Sequence, residues 1–126
     1  MYRVTLQNYK EDKYYPKVAE VCSIILENSR EIAPIDVFQR LGVLSKSSLG
    51  KWRDGDVPYL EKVLHCNLSR ANRILCIFSF HAHDLNMGPK PTAYKRNGKD
   101  LQFSKTGNKK SEDSYSKHFI VIGKEC

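Results

Sequence analysis

The segment from Pro34 to Leu64 constrains the fold most, because stretches that favour helix alternate in it with residues that end helices. It reads PIDVFQRLGVLSKSSLGKWRDGDVPYLEKVL. Gly42 and Gly55 can adopt the left-handed backbone conformation that closes a helix, and Pro58 suits the first turn of another. The spacing therefore predicts a short helix, a tight turn, a second short helix, another turn and a third helix.

Apolar residues that recur at helical spacing extend the helical prediction to both sides of this segment. The five predicted helices run from Pro16 to Glu31, from Pro34 to Leu41, from a cap at Ser45, Ser47 or Ser48 to Arg53, from Pro58 to Leu64, and from a cap at Asn67 or Ser69 to Gly88. In the third of them, Leu49 and Trp52 are three residues apart and are expected to face inward. Together the helices form a bundle over about residues 14–88.

The C-terminal part of the chain changes from a helical period to alternation, which is typical of strands. Asn97-Gly98 suits the type I′ turn of a β-hairpin. The predicted strands are Thr92–Arg96, Leu101–Ser104 and Tyr115–Ile122, with a polar loop at Thr106–Ser114 before the last. We therefore expect a small three-stranded antiparallel sheet over about residues 92–122, packed on the helical bundle.

The layout of residues 34–53 resembles the helix-turn-helix core of DNA-binding proteins, with an irregular turn. In the common motif an apolar residue of the second helix follows the turn glycine by about six positions, and a small residue precedes that glycine by about four. Here Leu49 follows Gly42 by seven positions, and the bulky Phe38 stands in the small-residue place. A turn longer by one residue and a wider crossing of the two helices accommodate both departures.

The predicted fold class is therefore α+β, in a single domain of residues 1–126. A chain of this length lies in the size range of one domain, and 40% hydrophobic with 28% charged residues is ordinary for a globular protein. No apolar run approaches the roughly 18 residues of a membrane span, and the first residues lack the apolar stretch of a secretory signal. We expect a cytoplasmic protein without membrane contact, and reduced thiols at its four dispersed cysteines.

The net charge of +7 is unevenly distributed and favours a polyanionic partner. Residues 1–88 carry 12 Lys and Arg against 10 Asp and Glu, a net of +2, whereas residues 89–126 carry 9 against 4, a net of +5. Residues 34–56 have a net of only +1, from four basic and three acidic residues. The helix-turn-helix-like segment is therefore too weakly charged to hold DNA alone, and the basic hairpin is needed as a wing-like contact to phosphates.

The candidate nucleic-acid-binding residues lie on the outer side of the Ser45–Arg53 helix and on or beside the hairpin. They are Lys46, Ser47, Lys51, Arg53, Lys95, Arg96, Lys99 and Lys105. Lys, Ser and Arg side chains reach base edges and phosphates, and duplex DNA is the expected ligand. We predict no catalytic residue, no metal site and no cofactor. The histidines and cysteines between His65 and His83 do not fall on one helix face as a metal site requires.

Three alternatives remain open at this level. The hairpin lysines can serve only to keep the sheet edges soluble, while Tyr94, Leu101 and Phe103 fix the sheet to the bundle. The basic surface can instead meet an acidic protein partner. A small ribonuclease would use His118 as general acid or base with the nearby side chains of Tyr115, Lys117 and Arg96.

Trp52 is expected to be a core anchor, with stacking on a base as the alternative.

Several stretches together look like a family of small bacterial proteins to which no function is assigned. They are WRDGDVPYLEKVL, NLSRANRIL at Asn67–Leu75, TAYKR, and LQFSKTGNKKSEDSYSKHFIV. The resemblance extends from about Ile32 to Val121 and is carried most by the pattern WR-x-G-x-VPYLE together with FSKTG. It implies a bacterial cytosolic protein in which Trp52–Glu61 and Phe103–Gly107 are fixed parts of one architecture. It implies no catalytic residue and no ligand.

Overall fold

A computed structural model describes Thr5 and residues 7–122, in which five α-helices are combined with two small antiparallel sheets. The helices are α1 Tyr15–Leu26, α2 Pro34–Arg40, α3 Lys46–Arg53, α4 Leu68–Asp84 and α5 Lys109–Ser116, with short 3-10 helices at Tyr9–Glu11 and Leu60–Val63. The strands are β1 Glu31–Ile32, β2 Met87–Pro91, β3 Lys95–Arg96, β4 Lys99–Asp100 and β5 Lys117–Val121. The predicted α+β class is confirmed.

The termini of the short helices follow from local chemistry. The Ser45 side chain accepts a hydrogen bond from the Ser48 amide at 3.0 Å and so caps the start of α3. A glycine with positive φ lies two residues after the last residue of each of α2 and α3, with φ of +82° at Gly42 and +80° at Gly55. In each case the next amide donates back across the last turn, as Val43 does to the Phe38 carbonyl at 3.1 Å. The helix, turn and helix of residues 34–53 are therefore encoded locally.

The three-stranded sheet has the strand order β1-β5-β2, and the hairpin is a separate two-stranded sheet of β3 and β4. The prediction that the hairpin pairs with the last strand is therefore wrong. Both edges of β5 are occupied, by Glu31–Ile32 on one side and by Met87–Pro91 on the other. The sequence did not predict β2 because Pro89 and Pro91 lack the N–H group that a strand donates to its neighbour. Proline is nevertheless tolerated on an edge strand, and β2 is one.

Other boundaries also differ from prediction. The hairpin strands are Lys95–Arg96 and Lys99–Asp100 in place of Thr92–Arg96 and Leu101–Ser104, and α4 ends at Asp84 and not at Gly88. The loop expected at Thr106–Ser114 contains most of α5, which begins after Asn108 because the Asn108 side chain accepts a hydrogen bond from the Ser111 amide at 2.9 Å. Tyr115 consequently ends a helix and does not begin a strand. The segment after Pro58 forms only a 3-10 turn, and α1 ends at Leu26, five residues before the predicted Glu31.

The core lies between α1, α4 and the three-stranded sheet, and it extends under α2 and α3. The α1 helix packs against α4 and α2, and α2 in turn contacts α5. The largest fully buried side chains are Trp52, Tyr9, Tyr115, Phe38 and Phe78. Ile74, Leu75, Phe78 and Ala82 of α4 are buried, whereas Leu85, which follows the last helical residue, is 46% exposed.

Gly50 lies in the interior of α3 with negative φ and open space where a Cβ would stand. We expect Gly50→Ala to raise the free energy of unfolding by about 0.5–1 kcal/mol, because alanine loses less backbone entropy in a helix than glycine. Gly55→Ala is the matched control: its φ of +80° strains a side chain, and an added Cβ would lie 3.3 Å from Arg96 Cδ. Urea denaturation should give a higher midpoint for the first variant and a lower one for the second; equal shifts would contradict the assignment of the two backbone conformations.

Candidate nucleic-acid interface

Trp52 joins α3 to the chain that follows the hairpin. Its side chain is buried, and Nε1 donates a hydrogen bond to the Gln102 carbonyl at 2.7 Å. Its ring centroid lies 4.9 Å from that of Phe103 and 5.8 Å from that of Tyr94. The residue is thus a core anchor, as expected, and its ring is not available for stacking on a base.

Two arginines hold the hairpin against the C-terminal end of α3. The Arg53 guanidinium lies 5.5 Å from the centroid of the Tyr94 ring, which immediately precedes β3. The Arg96 side chain covers the turn at Gly55, within 3.3 Å of where a Cβ would stand. The end of the predicted recognition helix and the start of the predicted wing are therefore neighbours.

Seven of the eight predicted residues lie exposed on these two elements. Lys46, Ser47, Lys51 and Arg53 are on α3, and Lys95, Arg96 and Lys99 are on the hairpin. Along α3, Ser47 and Lys51 are four residues apart and share one side of the helix, whereas Lys46 and Arg53, seven apart, share its flank. At the hairpin tip Arg96 is the register partner of Lys99, across a turn whose Asn97 and Gly98 both have positive φ, as a type I′ turn requires.

Lys105 lies on a different segment from the other seven. It follows the hairpin, its side chain is exposed, and its backbone amide donates to Glu61 Oε1 at 2.9 Å. The hydrogen bonds of Lys105 run to Glu61 and Gln102 and not to α3. We therefore treat Lys105 as peripheral to the candidate interface.

The charge on this surface is mixed. Lys95 forms an ion pair with Asp100 across the hairpin, with 3.0 Å between Nζ and Oδ1. Asp54 and Asp56 are exposed beside the α3 terminus. Within the part of the chain that the structure describes, Lys46, Lys51, Arg53, Arg96 and Lys99 form no ion pair. Five cations are thus open to an anionic ligand.

A side-chain relay that sequence reasoning missed fixes Tyr94 to the three-stranded sheet. The Tyr94 hydroxyl lies 2.5 Å from His118 Nε2, and His118 Nδ1 lies 2.5 Å from Glu31 Oε2. Because an ionised carboxylate can only accept, Nδ1 carries a proton and donates to Glu31. Lys90 Nζ completes the relay at 3.2 Å from Glu31 Oε1. No sequence signal relates these positions, since Glu31 and His118 are 87 residues apart.

The relay acts as an anchor and not as an activated nucleophile. Burial raises the pKa of Tyr94 to about 12, although the nearby Arg53 opposes that effect, so the hydroxyl stays protonated near neutral pH. The His118 side chain is only 12% exposed. Tyr115, which the ribonuclease alternative grouped with His118, is buried and donates its hydroxyl to Glu61 Oε2 at 2.7 Å. The predicted RNA-cleaving group is therefore not assembled around His118.

The segment Phe103–Lys105 is held between two carboxylates. Glu112 accepts from the Phe103 amide at 2.9 Å, the Ser104 amide at 2.7 Å and the Ser104 hydroxyl at 2.6 Å. On the other side, Glu61 accepts from the Lys105 amide, and its own amide donates to the Phe103 carbonyl at 2.9 Å. The segments Trp52–Glu61 and Phe103–Gly107, which the sequence resemblance singled out, thus pack directly on each other.

Comparison with known proteins identifies no relative of this chain. No protein-family model matches the chain, and no curated protein and no solved structure matches it. Among the described residues, no group of three or more His, Cys, Asp or Glu side chains is placed to hold a metal ion. No helix formed by those residues is both long enough and apolar enough to cross a bilayer. The resemblance inferred from the sequence patterns stays a prediction.

The relay predicts a specific dependence of stability on pH. The hydrogen bond from His118 is the main cause that holds the pKa of Glu31 below its ordinary value of 4.5, with Lys90 adding to it and burial opposing it. A depressed pKa in the folded state stabilises the protein above the ordinary value, and this contribution is lost as the pH falls through the folded-state value. We therefore expect the free energy of unfolding to fall less between about pH 5 and pH 3 in Glu31→Gln than in the wild type.

Urea denaturation across this pH range measures the difference. Glu20→Gln is the matched control, because Glu20 is an exposed carboxylate of α1 that pairs only with exposed Lys17 among the described residues. An acid sensitivity that changes equally in both variants would show that the Glu31–His118 hydrogen bond makes no special contribution.

The hydrogen bonds that Glu112 accepts from Phe103 and Ser104, here called the Glu112 clamp, give a second prediction, on stability. We expect Glu112→Ala to lower the free energy of unfolding by about 2–4 kcal/mol, because it leaves the amide and hydroxyl of buried Ser104 without their charged acceptor. Asp113→Ala removes the neighbouring carboxylate, which forms only an exposed pair with Lys109, and should cost about 0.5 kcal/mol or less. Thermal or urea unfolding of both variants measures the contrast, and a Glu112 effect no larger than the Asp113 effect would refute the clamp.

Proposed function

We propose that this protein binds nucleic acid in the cytoplasm, with duplex DNA as its ligand, through the outer side of α3 and the basic hairpin β3–β4. One observation carries the proposal: the hairpin lies against the C-terminal end of α3. The Arg53 guanidinium covers the Tyr94 ring, and Arg96 covers the turn at Gly55. Cations from two separate elements are thereby placed on adjoining surface.

The two elements have different roles in this proposal. Ser47 and Lys51 are exposed and lie four residues apart on one side of α3, and a helix laid in the major groove would present such side chains to base edges. Lys46 and Arg53 flank that side and are suited to phosphates. The hairpin carries Lys95, Arg96 and Lys99 and acts as the wing that contacts the backbone.

Rigid placement of the hairpin supports this assignment. The strands β3 and β4 are only two residues long each and would not hold a fixed position alone. Tyr94 at one end is tied to His118, and Gln102 at the other is tied to Trp52 through its carbonyl. A wing fixed at both ends loses little further freedom when it meets a ligand.

A salt titration tests the proposal. Affinity for a mixed-sequence duplex should fall linearly on a log–log plot against KCl concentration, with a slope of about 0.9 per phosphate contact. Arg53→Ala and Lys95→Ala should each weaken binding and reduce the slope by about 1. Lys51→Ala should weaken binding and also reduce any preference among selected sequences. Lys17→Ala removes the same charge from α1 and should leave binding almost unchanged.

Two results would contradict the proposal. The first is failure to retain any duplex at low salt, and the second is an equal loss of affinity in Lys17→Ala and in the three interface variants. Capture of one stoichiometric acidic protein by the wild type but not by Arg53→Ala, with no duplex retained, would assign the same surface to a protein partner instead. Far-ultraviolet circular dichroism of each variant confirms that the fold is kept.

A further inference from the structure

A groove of about 290 Å³ lies between α4 and the α5–β5 segment, and it shares no lining residue with the candidate nucleic-acid interface. Ligand pockets commonly enclose about 300–1,000 Å³ and are mostly apolar with a few convergent polar groups. This groove lies at the small end of that range. Its size fits a small molecule and not a peptide helix or a folded partner.

The floor of the groove is apolar. Leu75, Phe78, Phe80 and Phe119 line it, and the rings of Phe78 and Phe119 meet edge to face with centroids 5.4 Å apart. Small side chains on the neighbouring turn of α4, such as Ser79, leave the space above these rings unfilled. An apolar ligand body would therefore remove water from hydrocarbon surface.

The polar groups of the groove have one sign of charge. Lys110 on α5 and Lys117 on β5 both line it, and no Asp or Glu does. Neither lysine forms an ion pair with another described residue. Lys110 also lies in the first turn of α5, where the helix dipole adds partial positive charge. The groove thus combines a hydrocarbon floor with a cationic edge that forms no ion pair among the residues the structure describes.

We propose that this groove binds a small amphipathic carboxylate, with its alkyl body on the phenylalanines and its carboxylate between Lys110 and Lys117. Charge complementarity selects an anion over an amine, and the apolar floor selects an alkyl chain over acetate or phosphate. The small volume selects a medium-length chain that is free in solution over the surface of a bilayer. This inference is independent of the proposed DNA binding, and the failure of either leaves the other standing.

The test uses decanoate as the probe, with decylamine and decanol as ligands of matched chain length. Calorimetry should give saturable binding of decanoate to the wild type, and amide NMR shifts should change in residues 72–80 and 110–119. Lys110→Ala with Lys117→Ala should weaken decanoate binding by about tenfold or more and leave decanol binding unchanged. Lys10→Ala with Lys17→Ala is the control of equal charge.

A second perturbation fills the groove without touching its charge. Ser79→Trp places a large ring over the floor from a partly exposed position of α4, and should abolish binding of both decanoate and decanol. Alkylation of the exposed Cys76 thiol at the rim, in a chain with Cys66→Ser and Cys126→Ser, gives the same block should the tryptophan variant unfold. Decanoate in turn should slow that alkylation.

Four outcomes would overturn the proposal. One is the absence of saturable shifts with decanoate. Another is equal affinity for decylamine and decanoate, which would remove the role of the lysines. The third is binding that survives both the Ser79→Trp change and alkylation of Cys76, which would place the ligand elsewhere. Tight binding to anionic vesicles with no binding of free decanoate would likewise assign the groove to a lipid surface and refute a soluble ligand.

Discussion

The structure depends on how the segment Gln102–Lys105 is held. Trp52 donates a hydrogen bond to the Gln102 carbonyl, and Glu61 accepts one from the Lys105 amide. The Glu112 carboxylate accepts from the amides of Phe103 and Ser104 and from the Ser104 hydroxyl. These bonds are shielded in part from water. In such an environment the loss of an acceptor costs more than it does at the surface. The segment connects α3, the 3-10 helix Leu60–Val63 and α5. The placement of the hairpin that precedes it therefore follows from these hydrogen bonds.

A second constraint acts on the other end of the hairpin. Tyr94 is bonded to His118 of the central strand, which is bonded to Glu31 of an edge strand. A surface element with two-residue strands is thereby fixed by two partly buried polar clusters, one shared with α3 and one with the sheet. The exposed lysines of α3 and the hairpin can vary without loss of the fold, whereas the groups that position these two elements cannot. The apolar groove beside α5 lies outside both clusters and is open for a separate ligand.

The helices α1 to α4 were predicted at about the right positions because their signals are local, whereas the helix predicted after Pro58 is only a 3-10 turn. The Ser45 cap, the glycines at the ends of α2 and α3, and the Asn67 cap of α4 each act within a few residues of the element they delimit. What failed depends on distant pairing. Prolines are unfavourable in a strand unless it lies at the edge of a sheet, as β2 does. The polar run before Tyr115 concealed α5, in which Tyr115 is the buried residue and its ring lies beside that of Phe38 of α2. The predicted interface residues fell largely on one surface, but the relay that holds their hairpin joins positions that no sequence pattern connects.

The claim that α3 and the hairpin act as one surface is tested most directly by mapping amide NMR shifts of the labelled protein during titration with duplex DNA. We expect residues 46–55 and residues 94–99 to shift together along a single binding curve, while the amides of the groove between α4 and α5 stay unchanged. Shifts confined to one of the two elements, or centred on α1, would contradict it.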